Sequence, residues 1–277
     1  MPTTWEALPR IALASTLCST AIVEFTIPQV VRLSRASSAG GLPALRLFPH
    51  RAALMARMLP VQSLFTLTQF CAVREMHGAV DLVLGETPLN LPLSYGLASV
   101  PLIAAKYNLV VEGVYRHHGA AASAGGCRPH GCRPSFSLRA AARFFSTKIR
   151  PGLLWSYVRD SVGIGGGIVL GPILAEQLKP ALSEVDDGPA KQFVSKFCGG
   201  LVAGSISGFA TQWCHNTALE AGRVTEAEGR VPGTWESLRR VFKEHGARAF
   251  TLNFRFRVAI IASWTAILTV TEPFARK

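Results

Sequence analysis

The sequence predicts an all-α, multi-pass membrane protein, and three observations carry that prediction. Charged residues make up only 17% of the chain while hydrophobic residues make up 49%, with a mean hydropathy of +0.27; a typical soluble domain carries about 25% charged residues. Several apolar runs reach about 20 residues, enough to cross a hydrocarbon core of about 30 Å. Within residues 198–213 the glycines Gly200, Gly204 and Gly208 recur every four positions. That spacing lays a smooth stripe along one helix face, where a second helix can approach closely in lipid. In a soluble helix each interior glycine would cost about 1 kcal/mol relative to alanine.

Taken in order, residues 8–33 form the first long apolar segment, interrupted by Glu24 and Pro28; a proline near a helix end is a kinking position. Arg32, Arg35 and a Ser/Gly turn at 37–41 follow, then a short element at 42–48. A second long helix is predicted over 49–75, with Pro60 inside it and a linker over 77–89. The third runs over 90–115 and ends at Arg116, His117, His118 and Gly119. Residues 120–134 are rich in Ala, Gly, Cys, Arg and Pro and read as an exposed, mobile loop. Residues 135–148 read as an amphipathic helix capped by Ser135 and carrying Arg139, Arg143 and Lys148. Pro151 suits the first position of a fourth long helix reaching about residue 178. A linker over 179–190 leads to the glycine-striped run, then to a polar stretch with Arg223, Glu226, Glu228 and Arg230. Over 233–246, Trp235, Leu238, Val241 and Phe242 fall at helical spacing with charges opposite them, and Gly246 is a natural stop. A last apolar helix, residues 254–274, begins with Arg255 and Arg257.

The formal net charge is +12, from 29 Lys+Arg against 17 Asp+Glu. The basic residues are scattered and no nucleic-acid-binding motif appears, so the charge points to anionic lipid rather than nucleic acid. Six cysteines, three of them in apolar runs, do not make a secreted disulfide framework, and no cleavable leader is expected. Cys127, His130 and Cys132 lack a fourth ligand and regular spacing, so no metal site is expected. Residues 163–167 are glycine-rich but lie inside an apolar helix with no preceding strand, so they read as helix packing rather than a phosphate loop. No nucleophile–base pair, metal cluster or phosphate loop points to an enzyme.

The last third carries a resemblance. The run Gly199-Gly-Leu-Val-Ala-Gly-Ser-Ile-Ser-Gly208 resembles the odd-numbered helices of the mitochondrial carrier family. Thr234-Trp-Glu-Ser-Leu-Arg-Arg-Val-Phe-Lys-Glu-His-Gly-Ala-Arg-Ala-Phe250 resembles that family's matrix helix and the start of its even-numbered helix. This repeat is most similar to the tricarboxylate (citrate) carrier. The resemblance implies the mitochondrial carrier fold: six transmembrane helices in three pseudo-repeats, 1–80, 81–186 and 187–277, each with a short amphipathic matrix helix. It further implies a multi-pass protein of the mitochondrial inner membrane that binds cardiolipin or other phospholipid and no other cofactor.

Transporting members end each odd helix with proline, any residue, an acid, two residues and a base, and the acids and bases form the matrix-side gate. Here Pro28 remains, but Val30 and Leu33 replace the acid and base. The second repeat has Lys106, Asn108 and Val111 at the three positions, and the third has Trp213, His215 and Ala218. On the opposite side Glu176 and Lys179 keep the acid–base spacing and Glu272 and Arg276 come near it, a residual cytoplasmic-side gate. Matched to the family's substrate-contact positions are Arg57 on helix two, Ile164 and Gly165 on helix four, and Ile260 on helix six; Arg255 and Arg257 are possible pore cations. The resemblance with its degenerate gate implies a non-transporting structural or accessory subunit of a respiratory-chain or other inner-membrane complex, with other subunits as partners. The alternative is an active solute carrier for an anionic di- or tricarboxylate-like metabolite.

Overall fold

The computed structural model describes residues 4–36, 51–87, 89–122, 138–182 and 188–271. These residues form helices: α1 (Thr4–Ala36), α2 (Arg51–Leu84), α3 (Asn90–Ala122), α4 (Leu138–Phe144), α5 (Leu153–Asp160), α6 (Gly166–Leu178), α7 (Pro189–Ala210), α8 (Gln212–Glu228), α9 (Thr234–His245) and α10 (Phe254–Thr271). A π-helical turn, Phe145–Ile149, continues α4, and a second, Ser161–Gly165, joins α5 to α6. Each long helix packs on the next, α1 on α2, α2 on α3, α3 on the α5–α6 segment, α6 on α7 and α7 on α10. Because α10 packs back on α1, the circuit closes.

Among the described residues, four helices are long and apolar enough to cross a membrane, as a multi-pass protein requires: Ala7–Leu33, Leu153–Leu178, Pro189–Ala210 and Phe254–Thr271. A fifth is gained if Asn90–Ser99 and Pro101–Arg116, bent by 54° at Pro101, make one span. α2 is long enough at 34 residues but is not among them. It buries Gln62, Thr66 and Gln69 on its inner face and carries Arg57, Arg74, Glu75, His77 and Asp81.

Several boundaries move from those read in the sequence. α2 continues through the expected linker to Leu84, because residues 77–84 contain no proline and only one glycine, Gly78, to interrupt it. α3 likewise runs past Gly119 to Ala122. Pro151 lies in a turn, and α5 starts at Leu153 with Gly152 as its N-cap. Gly152 has φ +67°, and a Cβ there would meet the Ala218 backbone at 2.8 Å, so only glycine satisfies both the left-handed backbone and the packing against α8. The polar stretch after residue 220 is helical to Glu228, and the glycine-striped helix breaks earlier, at Thr211. The short element at 42–48, Ser135, most of the loop over 120–134, and Glu272 and Arg276 lie outside the described residues.

The glycine stripe does what its spacing predicts. A Cβ on Gly200 would lie 2.6 Å from Ala266 Cα and one on Gly204 2.6 Å from Ala262 Cα, both on α10. Gly199 makes the same approach to α6, 2.5 Å from Ala175 N. The opposite face of α7 exposes Val202, Ile206 and Phe209, an apolar surface suited to lipid, and Phe193 and Phe197 are exposed on the turns before the stripe begins. α9 matches its predicted bounds, and Gly246, at φ +54°, ends it. Val241 is buried and Leu238 and Phe242 are half-buried as the apolar face predicts, whereas Trp235 is exposed and meets Trp155 edge-on at 5.6 Å. Trp155 also meets Trp213 at 5.4 Å and donates to Thr234 O at 3.0 Å, so three tryptophans pin α9 to the starts of α5 and α8.

Gly204→Val forces α7 from α10 and should lower stability by about 1–3 kcal/mol or more, read as the melting temperature in detergent. Gly78→Ala, with nothing within 4 Å of the added carbon, should be neutral or raise it. Arg230 and Arg240, hydrogen-bonded to Glu236, together with the Gly233 N–H, hold the Glu236 carboxyl at about 2 against its ordinary 4.5. A depressed carboxylate stabilises above its unfolded value and loses that contribution as pH falls toward its folded value. Tryptophan fluorescence from the α9 contact should therefore hold at pH 5 and change between about pH 4 and 2, and Glu236→Gln should flatten that change.

Candidate functional site

The interior of the helix circuit is polar where a membrane bundle is ordinarily apolar. α3 brings Lys106 and Tyr107, α5 brings Arg159 and Asp160, α8 brings His215, α10 brings Arg257, and α1 brings Gln29; all but Tyr107, at 4%, are exposed by 1% or less. Charged groups in such surroundings persist only when paired and hydrogen-bonded.

Asp160 is the acid of this cluster. Its Oδ1 accepts from Arg159 Nε at 2.9 Å, its Oδ2 accepts from Arg159 Nη2, and Arg257 Nη2 stands 3.7 Å from Oδ1. Arg159 stacks over the Tyr107 ring at 4.1 Å and reaches His215 Nδ1 with Nη1 at 3.2 Å. A guanidinium can only donate, so Nδ1 is the acceptor and the His215 proton sits on Nε2, which donates to Gln29 Oε1. His215 is thus a neutral relay between Arg159 and α1.

A second group lies around Lys106. Its Nζ donates to Gln69 Oε1 and to Thr66 Oγ1 at 3.3 Å, and sits 4.8 Å from the centre of the Trp264 ring. Gln69 Nε2 donates to Tyr95 Oη at 2.6 Å and Ser99 Oγ at 3.2 Å. Trp264 donates to Cys18 O at 2.8 Å and meets Phe70 edge-on. Lys106 is therefore held by neutral dipoles and an aromatic face rather than by a carboxylate.

At one end of the bundle, ion pairs tie α3 to α8. Lys148 Nζ lies 2.8 Å from Glu112 Oε2 and 2.5 Å from Glu226 Oε1, and Glu112 also pairs with Arg116. Asn108 Nδ2 donates to Lys148 O and Pro151 O at 2.9 and 3.0 Å, which fixes the turn carrying Lys148.

The residues selected by motif are scattered. Val30, Leu33, Lys106, Asn108, Val111, His215 and Ala218 are buried, and Pro28 and Trp213 are half-buried. Of these, Lys106 and His215 belong to the polar cluster and Asn108 to the tied end. Ile164, Gly165 and Ile260 are buried packing residues, Gly165 resting against Pro92. Arg257 enters the cluster as a cation should, whereas its neighbour Arg255, two residues away and so on another face, is exposed over Phe256. Arg57 is also exposed and does not face the interior. Glu176 and Lys179 pair at 2.6 Å on the surface, within one helix end. His117 and His118 fall where side chains are not described. Among the described residues no group of three His, Cys, Asp or Glu side chains gathers around a metal-sized site.

Motif matching missed Arg159, Asp160 and Lys148. The signal was present for the first two: an acid and a base side by side inside an apolar run are ionisable groups at membrane depth, a feature that by itself marks a site. Lys148 carried no such signal, since it lies in an amphipathic segment among other bases.

No family model matches the chain, and no curated protein matches it either.

Asp160→Asn would leave two buried guanidinium groups without a counter-charge and should cost about 3–5 kcal/mol. Lys106→Met relieves a buried charge while unpairing the Gln69 amide oxygen, so its loss should be far smaller. Thermal unfolding of both variants in one detergent checks the ranking.

Proposed function

We propose that this protein is a carrier-fold bundle of the mitochondrial inner membrane that no longer transports and serves as a structural or accessory subunit of an inner-membrane complex. In this reading six spans, α2 among them, form three repeats, and cardiolipin or another phospholipid lies against the basic amphipathic segments. Support for the architecture is the closed sequential packing of the long helices together with the glycine-striped and matrix-helix segments. The single observation that carries the loss of transport is what occupies the gate positions. Val30, Leu33, Val111 and Ala218 are packed at 0–5% exposure where a cycling gate needs charges that part and re-form. Apolar packing of this kind is as stabilising as the ion pairs it replaces, and it does not open at modest cost. A permanent partner removes the need to open.

A second reading is favoured by a different observation. Lys106, Arg159 and Arg257 concentrate positive charge inside the bundle, as a carrier of a carboxylate metabolite would.

Two experiments separate the readings. Mild-detergent fractionation of inner membranes should find the protein migrating with a large complex; migration alone would count against the first reading. Liposomes holding the purified protein should show no uptake of labelled succinate or citrate above empty vesicles. Uptake abolished by Arg257→Gln and retained in Arg57→Ala would establish the second.

A further inference from the structure

The polar cluster has more positive charge and more donors than its own residues satisfy. Arginine stays charged in a protein, so Arg159 and Arg257 bring two positive charges to the single carboxylate of Asp160, whose oxygens Arg159 grips at Nε and Nη2. The other fully buried acid among the described residues, Glu220, has both oxygens on Arg223. The shortfall shows as particular atoms. Arg257 Nε and Nη1 and Gln29 Nε2 are buried with no hydrogen-bond partner, and so is the hydroxyl of Thr26, one turn before Gln29 on α1. The amide orientation of Gln29 follows from its neighbour: His215 Nε2–H takes Gln29 Oε1, which leaves the Gln29 NH2 as the unfilled end. Asn253 stitches the two elements together, its Nδ2 donating to Gln29 O at 3.3 Å and its own carbonyl accepting from Arg257 N at 3.1 Å.

Three of these four atoms can only donate, whereas Asn253 Oδ1, also buried and unfilled, can accept from only some of them. Water would satisfy donors but would leave the surplus charge, and a buried uncompensated guanidinium is costly. We propose that Arg257 Nε and Nη1, with Gln29 Nε2 and the Thr26 hydroxyl, hold one small monovalent anion of the halide class as a permanent counter-ion between α1 and α10. Arg257, Gln29 and Thr26 are each 0% exposed, which favours the smallest anions over carboxylate metabolites. The anion is a structural ligand, and the inference holds whether or not the bundle transports.

The test is thermal unfolding of the purified full chain in detergent, with sodium gluconate replaced stepwise by sodium chloride or bromide at constant ionic strength. The wild type should gain about 5 °C or more in a saturable way. Gln29→Glu puts a built-in carboxylate beside Arg257. It should melt in gluconate as the wild type does in saturating chloride, with no halide dependence left. Arg257→Gln removes the charge itself and should also lose the dependence. If that variant does not fold, anomalous diffraction from bromide-grown crystals of the wild type decides, with a peak expected between Arg257 and Gln29. Identical wild-type melting in gluconate and halide overturns the proposal, as does a shift given by succinate and not by chloride, which would make the site one for a carboxylate substrate.

Discussion

The bundle depends on how Asp160 is held. One carboxylate in a low-dielectric interior takes two guanidinium groups from α5 and α10, and Arg159 passes the connection through neutral His215 to Gln29 on α1. Four helices that are distant in sequence are thereby fixed in register by directional bonds. Apolar packing in lipid offers little directional preference, since lipid tails are as apolar as leucine. The polar core does for this bundle what a hydrophobic core does for a soluble domain: it makes one arrangement of helices better than its neighbours.

Around that node the helices are brought close by the absence of side chains. Gly199, Gly200 and Gly204 let α7 lie against α6 on one side and α10 on the other at backbone contact. At the tied end the chain uses ion pairs instead, with Lys148 between Glu112 and Glu226 and Asn108 holding the carbonyls of the same turn. Packing by small residues thus joins α7 to its neighbours, while charge bridging acts both at the buried node and at the tied end.

Much of this was legible in the sequence, and what was not has identifiable causes. The glycine stripe and the amphipathic α9 report local periodicity, and the structure realises both; of the six expected spans four are apolar enough among the described residues, or five with the bent α3, because α2 carries too many polar residues. Helix ends at Leu84, Ala122 and Glu228 lay beyond the expected ones because apolar run length marks where a helix leaves lipid, not where its hydrogen bonds stop. Of the cations flagged by motif or by their place near a helix start, Arg257 turns inward while Arg57 and Arg255 turn outward. That choice rests on helix rotation, which a motif position does not encode. Asp160 and Arg159 were readable as buried charges, but their partners come from α8, α10 and α1, and pairing across such separations is a property of the fold.

The π-helical turn at Ser161–Gly165 has a consequence of its own. It inserts one residue into the helix between the charged pair of α5 and the glycines of α6, rotating everything downstream by about 100°. With that offset, Arg159 and Asp160 point into the bundle while Gly167 and Gly171, farther along, meet Thr265 and Thr269 of α10. The span is therefore two half-helices with separate rotational phases, and a one-residue deletion there would turn the glycines of α6 relative to the charged pair of α5 instead of merely shortening the helix.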